Sequence, residues 1–503
     1  MDEKRREAGV LLPLTALPSR YGIGCLSEEA YAFVDFLCAA GQRCWQILPV
    51  GPTGYGDSPY QSFSTFAGNP YLIDLRALIR AGWLDGEACE RALGEQDEDR
   101  VDYATQYRRR LPLLRAAYRG FCRLASKGEK ARLEDFCTKE AAWLTDYAHF
   151  MALKDAHHGE PCSRWEEEYR RRQAGAMERS RRALSEEIGF YCFLQNCFAT
   201  QWSALHEYAT DRGIAIIGDL PIYVSADSAD VWANPELFCL DAQLQPTEVA
   251  GCPPDGFSKG GQLWGNPLYR WDVHAATGYA WWTARLRHCF DWYDVLRIDH
   301  FRGFESYYAI RSGAEDARQG VWRRGPGAAL FRAAEQTIGA RPIIAEDLGY
   351  MTDSVKELLA ACGYPGMKVL QFAFDTRDDG SKNDHLPHNY PKNCVAYTGT
   401  HDNQTLAGWL QGISQEEMRT LREYLCDVDT PTIRLTKRLI SLLLASPAQL
   451  CIVPLQDYLG LGDEARINTP STLGGNWCWR VRGEMLTGQL AREIQSLTQR
   501  YGR

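Results

Sequence analysis

The segment VLRIDHFRGF, residues 295–304, begins like a β-strand and ends in charged residues. Its first apolar residues are typical strand formers. Side chains alternate between the two faces of a strand, so Arg297 and Asp299 lie on the same face. Burying a guanidinium and a carboxylate there is costly unless they have a purpose. The segment therefore predicts a strand that delivers a functional acid at its C-terminal end.

Seven other short apolar runs also end abruptly in Gly, Pro or polar residues, as strands do. Helical patterns lie between most of them. Eight strands alternating with helices are typical of a closed parallel barrel, so we expect a (β/α)8 TIM barrel. A doubly wound open sheet is the alternative, but no GxGxxG or P-loop pattern follows any run. The seven runs lie at 9–14, 44–50, 214–219, 342–347, 367–374, 394–402 and 450–457.

Two connections are much longer than a barrel needs. Residues 85–195 are rich in charged residues and periodic, and the middle of this stretch is almost free of Gly and Pro, which predicts an inserted, mostly helical subdomain. Residues 220–280 are rich in Gly, Pro and aromatic residues, which favours an active-site lid or a set of binding loops. We expect residues 1–503 to form a single catalytic domain that carries these two insertions.

Composition argues against several classes of partner. The chain of 503 residues has a net charge of −9, which disfavours a nucleic-acid footprint. It has no apolar run of about 18 residues, so we expect no membrane span. The 17 cysteines show no regular spacing, which indicates free thiols in a reducing compartment. The charged start lacks the apolar core of a secretory signal, so we expect a cytoplasmic location.

Several predicted strands end in an acidic residue. Catalytic groups of a TIM barrel lie at the C-terminal ends of its strands, so these acids should meet around one mouth. A single acid at a strand end is often a helix cap or half of a salt bridge, but three at corresponding ends are hard to attribute to chance. The acids are Asp219, Asp299, Glu346, Asp347, Asp402 and Asp457.

Retaining glycoside chemistry requires acids with divided roles. It uses an ionised nucleophile and a protonated acid about 5–5.5 Å apart. Arg297 should keep Asp299 ionised, which makes Asp299 the candidate nucleophile. Glu346 has no basic neighbour in sequence, and a crowded anionic position would raise its pKa, as an acid/base requires. Asp402 would then stabilise the cationic transition state, and His401 beside it can donate hydrogen bonds to a sugar hydroxyl.

Clustered carboxylates can also hold Mg²⁺ or Ca²⁺. The sequence has neither an EF-hand-like loop nor an HExxH motif, so we expect no metal and no other cofactor. The abundance of aromatic residues, with 15 Trp and 25 Tyr, instead suits a surface that stacks on sugar rings.

Six sequence blocks resemble one known family. RIDHFRGF, IIAEDLG and GTHDN, in this order, resemble the three carboxylate motifs of the α-amylase clan. Three longer blocks resemble the 4-α-glucanotransferases of glycoside hydrolase family 77, and the resemblance extends from about Gly9 to about Arg482. It implies an (α/β)8 barrel with inserted subdomains and no C-terminal β-domain, and only a short tail follows QDYLGLG. The longer blocks are GYGDSPYQSFSTFAGNPYLIDL (54–75), GDLPIYVSADSADVWANPELF (218–238) and GCPPDGFSKGGQLWGNPLY (251–269).

The resemblance also implies residue roles. The family's nucleophile, acid/base and transition-state stabiliser correspond to Asp299, Glu346 and Asp402. Nine further residues are expected to bind substrate. They are Arg297 and His401 beside the acids, Tyr60 near the scissile sugar, Asp255 and Trp264 on a loop over the cleft, Tyr55 where a second glucan strand can bind, and Ser58, Asp219 and Asp347.

Four of these nine residues have structural alternatives. Trp264 is interpreted as a loop residue, which favours a sugar contact over a place in the core. Tyr60 could simply plug the barrel mouth. Asp219 could order that mouth through hydrogen bonds, and Asp347 could position Glu346 or the next helix.

The resemblance implies transfer of α-1,4-glucan segments from a donor maltodextrin to the 4-hydroxyl of an acceptor. The route is a retaining double displacement through a glycosyl-enzyme on Asp299. The expected partners are maltooligosaccharides, amylose and glycogen-derived dextrins, and the oligomeric state stays open. A hydrolytic α-glucosidase or amylase would use the same acids, whereas their presence disfavours an inactive glucan-binding protein. The segment NTPSTLGGNWCWR (468–480) departs from the family, which usually has a tighter Gly-Thr turn before Asn-Trp. The resemblance therefore does not predict the details of acceptor binding.

Overall fold

The computed structural model describes residues 6–54, 56–254, 260–349, 351–375 and 383–503. Within these residues, eight parallel strands form one sheet and four antiparallel strands form another. In chain order the strands are β1 (Glu7–Leu11), β2 (Cys44–Gln46), β3 (Ala215–Leu220), β4 (Glu248–Cys252), β5 (Gln262–Pro267), β6 (Val295–Ile298), β7 (Ser306–Arg311), β8 (Val321–Arg324), β9 (Ile343–Ala345), β10 (Gly366–Val369), β11 (Cys394–Tyr397) and β12 (Leu450–Pro454).

Helices connect most of these strands. They are α1 (Glu28–Ala39), α2 (Leu75–Arg80), α3 (Gly86–Leu93), α4 (Tyr103–Thr105), α5 (Leu111–Leu124), α6 (Lys127–Lys139), α7 (Ala141–Ala156), α8 (Glu167–Arg170), α9 (Ala174–Ala183), α10 (Ser185–Asp211), α11 (Ala229–Ala233), α12 (Trp271–Ala276), α13 (Ala280–Trp292), α14 (Ala328–Ile338), α15 (Asp353–Cys362), α16 (Leu406–Gly412), α17 (Gln415–Leu425), α18 (Thr432–Ala445), α19 (Leu455–Leu459) and α20 (Gly488–Arg500). None of these helices is both long enough and apolar enough to span a membrane.

The parallel sheet is a nearly closed barrel. Its strand order is β10-β11-β12-β1-β2-β3-β6-β9, and each neighbouring pair is parallel. The Ala345 N–H at the end of β9 donates to the Pro365 carbonyl just before β10 at 3.0 Å, which joins the two edges. Each of the eight predicted runs overlaps one of these strands, so the predicted (β/α)8 TIM barrel is confirmed.

Apolar packing holds the barrel strands together and attaches the helices to them. Side chains such as Leu11, Ile217 and Ile452 form a buried cluster of strand residues, while the outward faces of the strands join a larger core with the helices. Helix α1 illustrates the second layer, because Phe33 on its buried face packs edge-on against Trp45 of β2 at 5.0 Å. Strands buried on both faces read as continuous apolar runs, which is why the sequence revealed them.

The two long connections differ in content. The chain between β2 and β3 carries helices α2 to α10. The chain between β3 and β6 carries β4 and β5, which pair with β7 and β8 in the order β5-β4-β7-β8. The stretch 220–280 therefore contains two strands as well as loops. In the described residues after β12, the chain continues in helices with no further strand.

Candidate active site

Adjacent strands bring three acids to one mouth of the barrel. Strand β6 pairs with β3 on one side and β9 on the other. Asp219 lies near the end of β3, Asp299 follows β6 and Glu346 follows β9. Backbone bonds extend the pairing past the strand ends, since the Glu346 N–H donates to the Ile298 carbonyl at 3.0 Å and the Asp299 N–H to the Leu220 carbonyl at 3.0 Å.

Arg297 is shared between two carboxylates. Its Nη1 lies 2.7 and 2.6 Å from the two carboxylate oxygens of Asp219 and 3.2 Å from Oδ1 of Asp299. The Tyr60 hydroxyl donates to Asp219 at 2.9 Å, and its oxygen lies 2.9 Å from Nε2 of His401. Arg297, Asp219 and His401 are almost fully buried, while the Asp299 side chain keeps 29% exposure. The buried network therefore leaves Asp299 open to a ligand.

Backbone groups fix the orientation of Glu346. Its Oε2 accepts from the His300 N–H and its Oε1 from the Leu348 N–H, both at 2.7 Å. His300 adopts a left-handed conformation with φ 47°, which is uncommon for a non-glycine residue and turns the chain immediately after Asp299. This strained turn places the His300 N–H against the Glu346 carboxylate and so holds the two acids in one arrangement.

Burial raises the pKa of both acids. For Asp299 the upward effect of burial outweighs Arg297, which lowers the pKa, and the neighbouring charges of Asp219 and Asp402 raise it further. Arg297 thus acts as the sequence suggests, but it is also engaged by Asp219 and does not dominate. Burial and then the charge of Asp299 raise the pKa of Glu346, which is the higher of the two. Arg297 favours the negative charge on Asp299, and that charge in turn favours the proton on Glu346, so the two carboxyls titrate as a pair.

Asp402 is held ionised by a clamp from a distant loop. Its Oδ2 lies 3.3 Å from Nε2 of His401, its Oδ1 accepts from the Asn468 amide at 2.6 Å, and Arg466 donates to its backbone carbonyl at 2.8 Å. Burial alone would raise the pKa of Asp402, but His401, Asn468 and Arg297 together lower it to about 2. Burial lowers the pKa of His401, and Asp402 more than reverses this and raises it. The pair therefore favours an imidazolium beside a carboxylate.

Sequence reasoning missed Asn468, Arg466 and Trp477. The Trp477 ring lies 5.9 Å from Tyr60 and 6.0 Å from His401, with a positive φ of 63°. These residues belong to a loop far from any strand end, so a search of strand ends could not find them. The only signal was the departure from the family pattern in residues 468–480, which contain two of the three.

The remaining sequence candidates have varied surroundings. Ser58 accepts the Tyr60 N–H at 3.3 Å, so it shapes the turn that presents Tyr60. Asp347 accepts the Met367 N–H at 2.6 Å, which ties the end of β9 to β10. Tyr55 and Asp255 lie outside the described residues.

Trp264 lies in strand β5, so its interpretation as a loop residue is wrong. The strand forms because β5 pairs with β4, with Leu263 opposite Gly251. The Trp264 ring nevertheless stands edge-on to the His300 ring at 4.8 Å, which places it beside the turn that follows Asp299. Its indole N–H donates to Gln262 at 3.1 Å, so the ring orientation is fixed.

The chemistry of this site follows from its groups. It combines an ionisable carboxylate, a second carboxyl with a higher pKa, and a third carboxylate paired with an imidazole. Within the described ranges, no three His, Cys, Asp or Glu side chains are placed to hold a metal ion, and the absence of a cofactor stays a prediction. On a TIM barrel, this set is typical of carbohydrate-active enzymes that work through paired carboxylates.

Comparisons with known proteins identify the family. The model of glycoside hydrolase family 77, described as 4-alpha-glucanotransferase, matches residues 12–487. The chain is 48% identical to the 4-alpha-glucanotransferase of Thermus thermophilus over 497 residues, which cover 98% of this chain and 97% of that protein. It is 44% identical to the Clostridium butyricum enzyme over 498 residues, covering 97% and 99% of the two chains. The chain belongs to glycoside hydrolase family 77, and its activity is that of a 4-alpha-glucanotransferase.

A solved structure agrees with this assignment. Amylomaltase from Streptococcus agalactiae in complex with acarbose superposes with a TM-score of 0.95 at 42% identity, covering 99% of this chain and 100% of that chain. The amylomaltase of Corynebacterium glutamicum, 21% identical with a TM-score of 0.77, covers 99% of this chain and 75% of that one and shares the fold.

Proposed function

We propose that this enzyme transfers α-1,4-glucan segments from a donor maltodextrin to the 4-hydroxyl of an acceptor glucose or glucan, through a covalent glycosyl-enzyme on Asp299. One observation carries the proposal. Asp299 and Glu346 follow adjacent strands, are joined through the His300 N–H, and have raised pKa values of which that of Glu346 is higher. That is the division between nucleophile and acid that a retaining mechanism requires.

In the first step the Asp299 carboxylate attacks the anomeric carbon of the bound glucosyl unit. The glycosidic bond breaks, and Glu346 gives its proton to the departing 4-oxygen. Positive charge develops at the sugar ring, and the Asp402 carboxylate stabilises it because its low pKa keeps it ionised. Arg297 and His401 donate hydrogen bonds to sugar hydroxyls. Their positive charges also favour the ionised forms of Asp299 and Asp402.

In the second step an acceptor 4-hydroxyl enters the place of the leaving group. Glu346, now ionised, takes the hydroxyl proton while the acceptor oxygen attacks the anomeric carbon. The ester bond to Asp299 breaks, which restores the enzyme and gives a new α-1,4 bond. Two inversions at one carbon produce net retention.

Water could replace the sugar acceptor, which would make the enzyme a hydrolase. One indole ring favours a sugar. Trp264 is partly exposed, and its ring stands edge-on to the His300 ring at 4.8 Å. Such a surface stacks on a pyranose and displaces water. Trp477 contributes no such surface, because it is buried beside Tyr60 and His401. Glucan contacts from Tyr55 and Asp255 stay predictions.

Incubation with maltotriose, with no added metal, tests this proposal. Transfer predicts that glucose and longer maltodextrins rise together while total reducing ends stay constant. Rising reducing ends without longer products would mean that water is the acceptor and would refute the transferase proposal. In the part of the chain that the structure describes, the cysteines form no disulfide, which supports the further proposal of a cytoplasmic location.

A further inference from the structure

The loop that grips Asp402 is closed at its base. We call residues 467–477 the clamp loop, because Asn468 within it donates to the Asp402 carboxylate at 2.6 Å. The Trp477 N–H donates to the Ile467 carbonyl at 2.7 Å, which joins the two ends of the loop. Whatever holds this base in place therefore also sets the position of the Asn468 amide.

A segment of the inserted subdomain, residues 97–103, lies against the chain that leaves the clamp loop. The two form an antiparallel β-bridge, and the Val101 N–H donates to the Cys478 carbonyl at 2.7 Å. The Tyr103 hydroxyl donates to the Trp477 carbonyl at 3.1 Å. Before Tyr103 this segment belongs to no helix or strand, so its conformation depends on partners from other parts of the chain.

The Arg480 side chain supplies such a partner. It is almost fully buried, with 2% exposure. Its Nη1 donates to the Asp97 carbonyl and its Nη2 to the Ser19 carbonyl, both at 2.8 Å. Ser19 lies in the connection between β1 and α1. One guanidinium therefore joins the exit of the clamp loop to the inserted subdomain and to the first connection of the barrel.

Burying this guanidinium is costly. Both of its acceptors are backbone carbonyls and not carboxylates, and in the part of the chain that the structure describes its Nε has no hydrogen-bond partner. An apolar side chain of similar volume would fill the space without taking a charge out of water. The planar fork of arginine, however, donates in fixed directions and can hold several chain segments at once.

The clamp loop in turn contacts the catalytic groups at two points. Asn468 bonds the Asp402 carboxylate, and the centre of the Trp477 ring lies 6.0 Å from that of the His401 ring. Arg480 follows Trp477 by three positions, so a shift of the chain at Arg480 displaces the base of the loop. A displacement of about 1 Å at a reacting centre can cost about 100-fold in rate.

We propose that Arg480 is a positioning residue of the transfer reaction. It fixes the base of the clamp loop against the inserted subdomain, so that the loop holds Asp402 and its partner His401 in place. Arg480 acts through the loop and not by contact with the sugar. The inference rests on the proposed role of Asp402 in stabilising the transition state.

The test is the split between kcat and KM for transfer from maltotriose in Arg480→Met, measured well below its melting temperature. Loss of an arrangement that matters only in the transition state lowers kcat and leaves KM nearly unchanged. We expect kcat to fall about 10- to 100-fold and KM to change less than about twofold. Arg480→Lys keeps a cation that can bond one of the two carbonyls, so it should retain more of kcat than Arg480→Met.

Arg503→Met is the matched control. Arg503 is also buried, and its guanidinium donates to four backbone carbonyls. Two of these belong to Glu7, which begins β1, and to Ala448, which precedes β12. They lie at the opposite end of the barrel from the acids, which follow the strand ends. Arg503→Met should therefore destabilise the protein and leave kcat within about twofold of the wild type.

A kcat within twofold of the wild type in Arg480→Met, or equal falls in Arg480→Met and Arg503→Met, would overturn the proposal. If Arg480→Met does not fold, Arg480→Lys and Arg503→Lys give the same comparison. Hydrogen exchange of the clamp-loop peptide, measured by mass spectrometry, needs no activity. It should be faster than in the wild type in Arg480→Met and unchanged in Arg503→Met, and unchanged exchange in Arg480→Met would also overturn the proposal.

Failure of the proposed function is visible separately, as wild-type enzyme that does not disproportionate maltotriose. In that case the exchange measurement still decides whether Arg480 anchors the clamp loop.

Discussion

Replacing Arg297 by methionine should destabilise the protein strongly. Arg297 contacts both carboxylate oxygens of Asp219 at 2.6–2.7 Å, and the Asp219 side chain is fully buried. Removing one partner of a buried ion pair leaves an uncompensated charge, which costs about 3–5 kcal/mol. We therefore expect the free energy of unfolding of Arg297→Met, measured by urea titration with tryptophan fluorescence, to fall by about this amount.

Two further variants identify the cause. Adding Asp219→Asn to Arg297→Met removes the orphaned charge and should recover at least half of the loss, although activity stays low. Arg482→Met removes the cation of an exposed pair with Asp99 and should cost much less, because water screens that pair. A loss in Arg297→Met no larger than in Arg482→Met, or no recovery on adding Asp219→Asn, would refute this reasoning.

Three further predictions concern the acids and the loop that holds one of them. Asp299→Asn should abolish turnover and keep glucan binding in native affinity gels, so near-wild-type turnover would exclude Asp299 as the nucleophile. Asn468→Ala removes a 2.6 Å bond to the Asp402 carboxylate. Because such bonds contribute about 1.5–3 kcal/mol, kcat/KM should fall by about 10–150-fold, and a change below twofold would argue against the clamp. Folding raises the pKa of Glu346, so its contribution to stability is fully present below the ordinary value of about 4.3 and is lost as pH rises through the raised value. Glu346→Gln should therefore melt at a higher temperature than the wild type at pH 8 and at nearly the same temperature at pH 4, and a pH-independent difference would contradict the shift.

The barrel could be predicted because its signal is local. Each buried parallel strand is a short apolar run, and the acids that end the runs around 295–299 and 342–347 lie where a barrel places catalytic groups. The pairing of Arg297 with Asp219 could not be predicted, because it depends on β3 and β6 being neighbours in space. The sequence showed Arg297 only beside Asp299, and this neighbour in sequence is the more distant of its two carboxylate partners.

The small sheet and the clamp on Asp402 were beyond sequence reasoning for a related reason. Strand β5 reads QLWGNP, whose Gly, Asn and Pro disfavour a strand, and it forms because β4 pairs with it. Asn468 follows Asp402 by 66 positions, and only the folded chain brings its amide to that carboxylate. Contacts made by such loops depend on tertiary packing, so they cannot be predicted from local secondary-structure propensity.

The central claim is that a glucan is carried on Asp299, and trapping tests it most directly. The Glu346→Gln variant should be mixed with α-maltosyl fluoride, whose fluoride leaves without a proton from an acid. Asp299 then forms its bond to the anomeric carbon as the carbon–fluorine bond breaks, and the slow second step lets the ester accumulate. We predict a burst of fluoride and a maltosyl mass increase on the peptide that contains Asp299. A burst with the added mass on another residue would contradict the account, as would steady fluoride release with no adduct.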